Sequence, residues 1–333
     1  MLQYTSPGLT IVGSGSATPI APLSNAQLST VVDTSDEWIA SRTGIRQRQV
    51  ASSNTALADL AAQAATQALS AAAIAPTEVD MVLLATSTPD DLFGSAAQVQ
   101  AQLGATQAVA FDLTAACSGF IFGLVTAAQY IRTGTYRTIV LIGADVLSRW
   151  VDWDDRRTCV LFGDGAGAVV LRADHDRDNL LGFELRSDGS LNRCLNLGYQ
   201  GESRSLVAEV DVNQGQYHPI TMNGQEVYRF AVRRVPEVVE KALFRADLTT
   251  AQVDWLLLHQ ANQRILDAVA NRLKIPAEKV ISNMANYGNT SAASIPLALD
   301  EVVRSGRVQP SDIIATAGFG AGLSWGSAIF RWG

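Results

Sequence analysis

The sequence predicts a layered α/β protein made of two similar halves, and three observations carry that expectation. Helical stretches alternate with short apolar runs, the pattern of helices packed on sheets. The order of these elements then recurs, with corresponding strands beginning at Asp80 and Asp254, 174 residues apart. Charge is sparse: Asp, Glu, Lys and Arg make up 17% of 333 residues against a typical ~25%, while the apolar share is 47%. So small a charged fraction predicts a large buried share. A chain of this length predicts two core units, because a single core stops growing near ~250–300 residues.

Taken in order, Asn54 to Ala73 is an amphipathic helix that Asn54 is placed to cap, and Asp80 to Thr86 follows as a buried strand. Their counterparts are a helix from Gln225 to Arg245 and a strand from Asp254 to Gln260. Next come AFDLTAACSGFIFGLVTAAQYI around Cys117 and NMANYGNTSAASIPLALDEVV around Asn289, each predicted as a short strand, a small-residue turn and a long apolar helix. Each half closes with another strand, from Thr138 and from Asp312, and a Gly-rich hairpin, FGDGAGAVVL and GAGLSWGSAIF. The boundary falls near residues 172–180, giving an N-terminal half of residues 1–175 and a C-terminal half of residues 176–333.

A net charge of −7 and a pI near 5.0 argue against nucleic acid as a partner. Leu113 to Ile131 is a run of 19 uncharged residues, close to the ~20 that span a bilayer. Thr114, Ser118, Gly119, Gly123, Thr126 and Gln129 interrupt it, so it reads as a buried core helix and no membrane association is expected. No Lys or Arg precedes Arg42, and three cysteines lie far apart, so the expectation is a cytoplasmic protein with neither a leader nor a disulfide framework. Two glycine clusters imitate nucleotide-binding loops. Gly13-Ser-Gly15 has Asp33 twenty residues on, but Thr18 takes the third glycine's place and Pro19 and Pro22 prevent the helix that would hold a pyrophosphate. Gly163-Asp-Gly165-Ala-Gly167 leads into a strand, so turn chemistry is its expected role.

Candidate chemistry starts at Cys117, at the junction of a short strand and a long helix. A helix N-terminus lowers a thiol's pKa, and the small neighbours in Thr114-Ala-Ala-Cys-Ser-Gly leave room for a substrate, which favours a nucleophile over a structural cysteine. Cys159 and Cys194 lack such surroundings and read as structural, while His175 and His218 lie in polar, loop-like stretches. His259 ends the apolar run WLLLH at the mouth where α/β sheets hold ligands, where a histidine is either structural or functional. Asn289 occupies the half-repeat turn that corresponds to the Cys117 turn. If the duplication brings the half-sites together, a nucleophile meets two hydrogen-bonding groups, an arrangement suited to acyl transfer.

The segments VDTSDEWIASRTGI, TAACSGF, FGDGAGA, HQAN, GNTSAAS and GFGAGLSWGSA occur in order over nearly the whole chain. Together they resemble β-ketoacyl-[acyl-carrier-protein] synthase III, the condensing enzyme that begins bacterial and plastid fatty-acid synthesis. The resemblance implies the thiolase fold, five layers αβαβα from two duplicated halves, usually as a homodimer. It implies that acetyl-CoA and malonyl-acyl-carrier protein are the substrates and that no metal or organic cofactor is needed. Position by position, Cys117 matches the acyl-accepting cysteine, and His259 and Asn289 match the pair that holds the malonyl thioester carbonyl. Ala321, where relatives often have Gly, matches an oxyanion donor beside the Cys117 N–H, and Phe319 matches a shielding aromatic. Trp38, Arg42 and Arg156 match CoA-binding positions, Gly224 and Asn262 match positions lining the pantetheine tunnel, and Phe93 matches a position reaching across a dimer into the partner's acyl pocket. The second substrate's carrier is acidic in the family, and Arg229 and Arg233, one helical turn apart, with Arg264 and Arg272 supply the expected basic docking face.

Overall fold

Strands that are apolar on both faces need a layer of helices on each side, and the arrangement of this chain follows from that need. The computed structural model describes residues 6–333. Its first half runs β1 (Gly8–Ala17), β2 (Pro22–Ser24), α1 (Asn25–Leu28), α2 (Asp36–Thr43), β3 (Gln47–Gln49), α3 (Leu57–Ala72), β4 (Met81–Ala85), α4 (Ala96–Leu103), β5 (Val109–Leu113), α5 (Gly119–Arg132), β6 (Thr138–Asp145) and β7 (Gly165–Asp174). The remainder runs β8 (Leu180–Ser187), β9 (Leu195–Asn196), β10 (Tyr199–Val207), β11 (Val210–Tyr217), β12 (Thr221–Met222), α6 (Gly224–Arg245), β13 (Trp255–Leu258), α7 (Gln263–Leu273), α8 (Met284–Tyr287), α9 (Ser294–Arg304), β14 (Ile313–Gly320) and β15 (Ser324–Arg331).

Two mixed sheets result. The first has the order β1-β7-β6-β4-β5, with β4 parallel to β5 and β6, and β7 antiparallel to β6 and β1. The second has the order β8-β15-β14-β13 with the same senses, so strand for strand it repeats β1, β7, β6 and β4. Its fifth position shrinks to one parallel bridge between Leu256 and Val280.

Helices α5 and α9 lie between the sheets, α3 and α4 cover the outer face of the first, and α6 with α7 covers the second. These are the five layers. Instead of two core units there are three apolar clusters, one between each sheet and its outer helices and one between the sheets. The middle cluster is shared: Leu83 and Leu124 of the first half meet Ile295 and Ile314 of the second. Among the described residues no helix is long and apolar enough to cross a membrane, and the uncharged run ends in the 14-residue α5 of this central layer.

Close approach of the layers rests on small residues. A Cβ on Gly15 of β1 would collide with Ala64 O and Ala68 N of α3, whose Ala61, Ala64, Ala65 and Ala68 are fully buried. Gly165 and Gly167, expected in a turn, are instead strand residues of β7; a Cβ on Gly167 would meet Pro296 and Leu297 of α9. Two further expectations change. Asn54 does not cap α3: the N-cap is Ala56, whose side chain cannot bond, and the Asp90 carboxylate takes the Leu57 and Ala58 N–H groups at 3.0 and 2.9 Å instead. No strand precedes Asn289, because Met284–Tyr287 is a helical turn, and the strand position survives only as the Val280 bridge.

Candidate active site

The duplication persists in the turns that carry the candidate residues. Cys117 sits in the turn Ala116–Ser118 that leads into α5, and the turn Ser291–Ala293 leads likewise into α9. Counted back from Gly119 and Ser294, the first helical residues, Ala116 corresponds to Ser291, and both are left-handed, with φ of 48° and 51°. The turns face each other across the central layer. The Ser291 hydroxyl donates to Cys117 Sγ at 3.3 Å, and the Ser291 N–H donates to Asn289 Oδ1 at 2.9 Å.

Cys117 is 7% exposed, and burial pushes its thiol up to about 12, against the lowering expected of a helix N-terminus. The short turn that separates Cys117 from α5 lies inside the protein, where a thiolate loses its hydration. Thiol is therefore the resting state.

His259 and Asn289 are oriented by the groups behind them. His259 Nδ1 lies 2.7 Å from Ser294 Oγ, which accepts the Gln260 N–H at 3.3 Å. With the hydroxyl hydrogen donated to Nδ1, the ring proton sits on Nε2. Burial lowers the imidazole to about 3, so the ring is neutral. Asn289 Oδ1 is occupied by the Ser291 N–H, which leaves its Nδ2 as the free donor. Backbone bonds from Gly163 N to Asn289 O and from Asn289 N to Leu161 O, both 2.9 Å, fix the residue in place.

The Phe319 segment connects His259 to the Cys117 turn. The Phe319 ring meets the imidazole edge-on with centroids 5.3 Å apart, and its neighbours Gly318 and Gly320 abut the Cys117 turn. A Cβ on Gly320 would stand 2.7 Å from Cys117 N, so only glycine leaves the approach to that N–H open, and Ala321 follows directly in the next turn. Asp145, at the end of β6, is fully buried behind the site. Its Oδ1 accepts from Ser87 N at 2.8 Å and from the Thr86 and Thr88 hydroxyls at 3.1 Å, and its Oδ2 accepts from Ala292 N at 3.1 Å. The buried Cys117 is thus linked through Ser291 to Asn289 and through the Phe319 segment to a neutral His259, with a backbone amide beside it that no side chain covers. Such a set can hold a thioester carbonyl and stabilise an oxyanion.

Comparison with known proteins agrees with that chemistry. Residues 111–189 match the family model described as 3-oxoacyl-[acyl-carrier-protein (ACP)] synthase III, and residues 243–332 match the model of its C-terminal part. The β-ketoacyl-[acyl-carrier-protein] synthase III of Acaryochloris marina is 69% identical over 331 residues, 99% of each chain. The chain belongs to the β-ketoacyl-[acyl-carrier-protein] synthase III family. The crystal structure of the synthase III from Aquifex aeolicus is 43% identical, with a TM-score of 0.90 over 98% of this chain and 100% of that one. A priming β-ketosynthase from a polyketide biosynthetic pathway is 33% identical, with a TM-score of 0.90 over 98% and 97%. The fold is the thiolase fold, and the protein is an acyltransferase-type condensing enzyme that initiates fatty-acid biosynthesis.

Within this synthase III, the three residues expected at CoA form one cluster. The Arg42 and Arg156 guanidinium carbons lie 4.5 and 5.4 Å from the Trp38 ring centre, and Arg156 also bonds Asp33. A cleft of about 510 Å³ opens beside them, lined by Val31, Val32, Asp33, Asp154, Asp155, Arg156 and Arg157. Gly224 opens α6, where a Cβ would meet nothing nearer than Met222 Cε at 3.8 Å, and Asn262 caps α7 by accepting the Arg264 N–H at 2.9 Å. Phe93 lies away from this chain's own site, 98% exposed beside Leu92.

The basic face is less positive than the count of arginines suggests, because Glu237 pairs with Arg233, Arg234 and Arg272 at 3.7, 3.0 and 4.0 Å. Arg264 donates to Ser41 O on α2, whereas Arg229 is exposed and makes no ion pair among the described residues. Cys194 is buried and donates to Glu226, and Cys159 is fully buried. The residues missed in the sequence are Asp145, Ser291 and Ser294. A carboxylate ending the apolar run TIVLIGAD was the available signal for the first; the serines lay in a motif read only for its asparagine.

The buried neutral imidazole sets a pH dependence. The unfolded chain gains this proton near 6.5 and the folded protein only near 3, so between those values falling pH favours unfolding. Unfolding by denaturant from pH 6.5 to 4 should show wild type losing about 1 kcal/mol per pH unit more than His259→Gln. Parallel pH curves for the two proteins would remove His259 as the cause.

Proposed function

We propose that the protein condenses acetyl-CoA with malonyl-acyl-carrier protein. The carrying observation is that Ser294 Oγ lies on His259 Nδ1 and the Ser291 N–H on Asn289 Oδ1; with the ring proton on Nε2, both residues then present an N–H donor and neither presents a base. In the first half-reaction the Cys117 sulfur attacks the acetyl thioester carbonyl. The oxyanion is met by the N–H groups of Cys117 and Ala321, and CoA leaves with the thiol proton. In the second, His259 Nε2–H and Asn289 Nδ2–H hold the malonyl thioester carbonyl while CO₂ departs, so the electron pair is stored as an enolate. Phe319 keeps that pocket apolar, a medium in which a carboxylate is lost more readily than in water. The enolate carbon attacks acetyl-Cys117, and collapse of the adduct frees the sulfur and acetoacetyl-carrier protein. No metal or organic cofactor enters this scheme, because loss of CO₂ drives the condensation.

Trp38 would stack on the adenine of CoA, with Arg42 and Arg156 near its phosphates and Gly224 and Asn262 along the pantetheine arm. The open space at Gly224 supports this placement, since no protein neighbour demands glycine there. In the proposed dimer, a bulky Phe93 reaching from one copy into the acyl pocket of the other favours a short primer. Incubation with acetyl-CoA and malonyl-carrier protein in a chelating buffer should give acetyl-Cys117 and acetoacetyl product by mass spectrometry. Thioester hydrolysis without condensation would overturn the reading. A higher kcat/KM for a branched five-carbon primer than for acetyl-CoA would exclude the short-primer reading.

Carrier-protein docking on α6 and α7 is part of the same proposal, with Arg229 its least compensated charge. Arg229→Glu should raise KM for malonyl-carrier protein about two- to fivefold, the range of an exposed charge pair, and leave acetylation of Cys117 unchanged. Equal loss in both half-reactions would exclude docking.

The chain is further proposed to act as a cytoplasmic homodimer. β5 is an edge strand, and Val109, Leu92 and Phe93 form an exposed apolar group beside it, which a second copy would cover. Sedimentation at micromolar concentration should give about twice the 35.5 kDa chain mass. A 35.5 kDa species would overturn the dimer.

A further inference from the structure

Ser291 is buried at 3% exposure, and its left-handed backbone aims its hydroxyl at the reactive sulfur from the opposite half of the molecule. A thiolate accepts a hydrogen bond far better than a thiol or a thioester does, so a donor fixed 3.3 Å from Sγ favours the anion. We propose that Ser291 is a fourth member of the catalytic set, whose hydroxyl stabilises the Cys117 thiolate during acyl transfer and turns to Asp145 once the sulfur is acylated. The inference rests on the acyl-cysteine mechanism of the proposed function.

One observation and one physical argument support the second position of the hydroxyl. Asp145 Oδ2 accepts the N–H of Ala292, the residue next to Ser291, at 3.1 Å, which puts the Ser291 side chain within reach of this carboxylate, where it favours the ionised form. An acylated sulfur would otherwise leave a buried hydroxyl without an acceptor, a cost the carboxylate removes. Both serine functions are also separable, because the N–H that orients Asn289 belongs to the backbone and survives any side-chain change.

The charged group that acts on the sulfur is Asp145 at the end of β6, while His259 beyond β13 is neutral. A negative Asp145 opposes a second negative charge on Cys117, and burial opposes it further. Ser291 is the side chain that offsets both.

The test compares wild type with Ser291→Ala and Ser291→Gly. Alanine keeps the Cβ, whereas glycine removes the hydroxyl and also relaxes the left-handed φ, so agreement between them isolates the hydroxyl from the backbone. The rate of Cys117 alkylation by iodoacetamide is followed against pH, and acetylation by acetyl-CoA and single-turnover condensation from pre-acetylated enzyme are measured separately. Both variants should need about one pH unit more for equal alkylation and should acetylate about tenfold more slowly, the size of one charge-assisted hydrogen bond. Condensation from the acetyl-enzyme should stay within about twofold of wild type, since decarboxylation and carbon–carbon bond formation precede the departure of the thiolate and their donors are intact. Alkylation profiles that overlay wild type, or equal losses in both half-reactions, would overturn the proposal. If wild-type protein fails to acetylate Cys117, the proposed function fails, while the alkylation profiles still decide the role of Ser291.

Discussion

A carboxylate removed from water has to be surrounded by donors, and Asp145 draws its donors from both halves of the molecule. Thr86, Ser87 and Thr88 come from the end of β4, and Ala292 comes from the turn before α9. Burial raises its pKa while these bonds counter the rise, and the balance fixes the distance between two turns that no covalent link joins. Cys117 lies on one side of that junction and Asn289 on the other. The geometry of the candidate site is thus a consequence of how one buried carboxyl group is satisfied.

The central layer supplies the rest of the constraint. Helices that carry reactive turns at their N-termini can meet only if both are enclosed between sheets, and enclosure needs small residues wherever backbones approach. Gly143 admits Ala292 O, Gly167 admits the first turn of α9, and Gly320 clears the space before Cys117 N. The uncharged run that resembled a membrane span is a product of this enclosure, since α5 touches strands of both sheets.

Periodicity and the repeat made the layers legible, because α3, β4, α6 and β13 each carry their own pattern of burial. The nucleophile, His259 and Asn289 were legible as chemistry-bearing residues at strand ends and in matched turns. What stayed hidden was long-range. Asp90 caps a helix that starts 33 residues earlier, and Glu237 neutralises arginines on its own helix and on α7. Neither partner can be found by local spacing. The apparent helix-terminus activation of Cys117 failed for a related reason: depth of burial depends on the whole fold, and here it outweighs the local dipole. The serines behind His259 and Asn289 were invisible because a hydroxyl's role is set by which acceptors are left over after packing.

The loop that carries Phe93 is clamped at both ends. Asp90 binds the start of α3 and also the Arg149 side chain at 2.7 Å, while Asp112 takes the Ser95 and Ala96 N–H groups at the far end of the loop. Only residues 91–94 lie between these clamps. An aromatic side chain exposed on so short a tether has already lost most of its backbone freedom before anything touches it. The entropy of ordering that segment is charged to folding and not to association, so a partner that meets Phe93 finds a preorganised anchor.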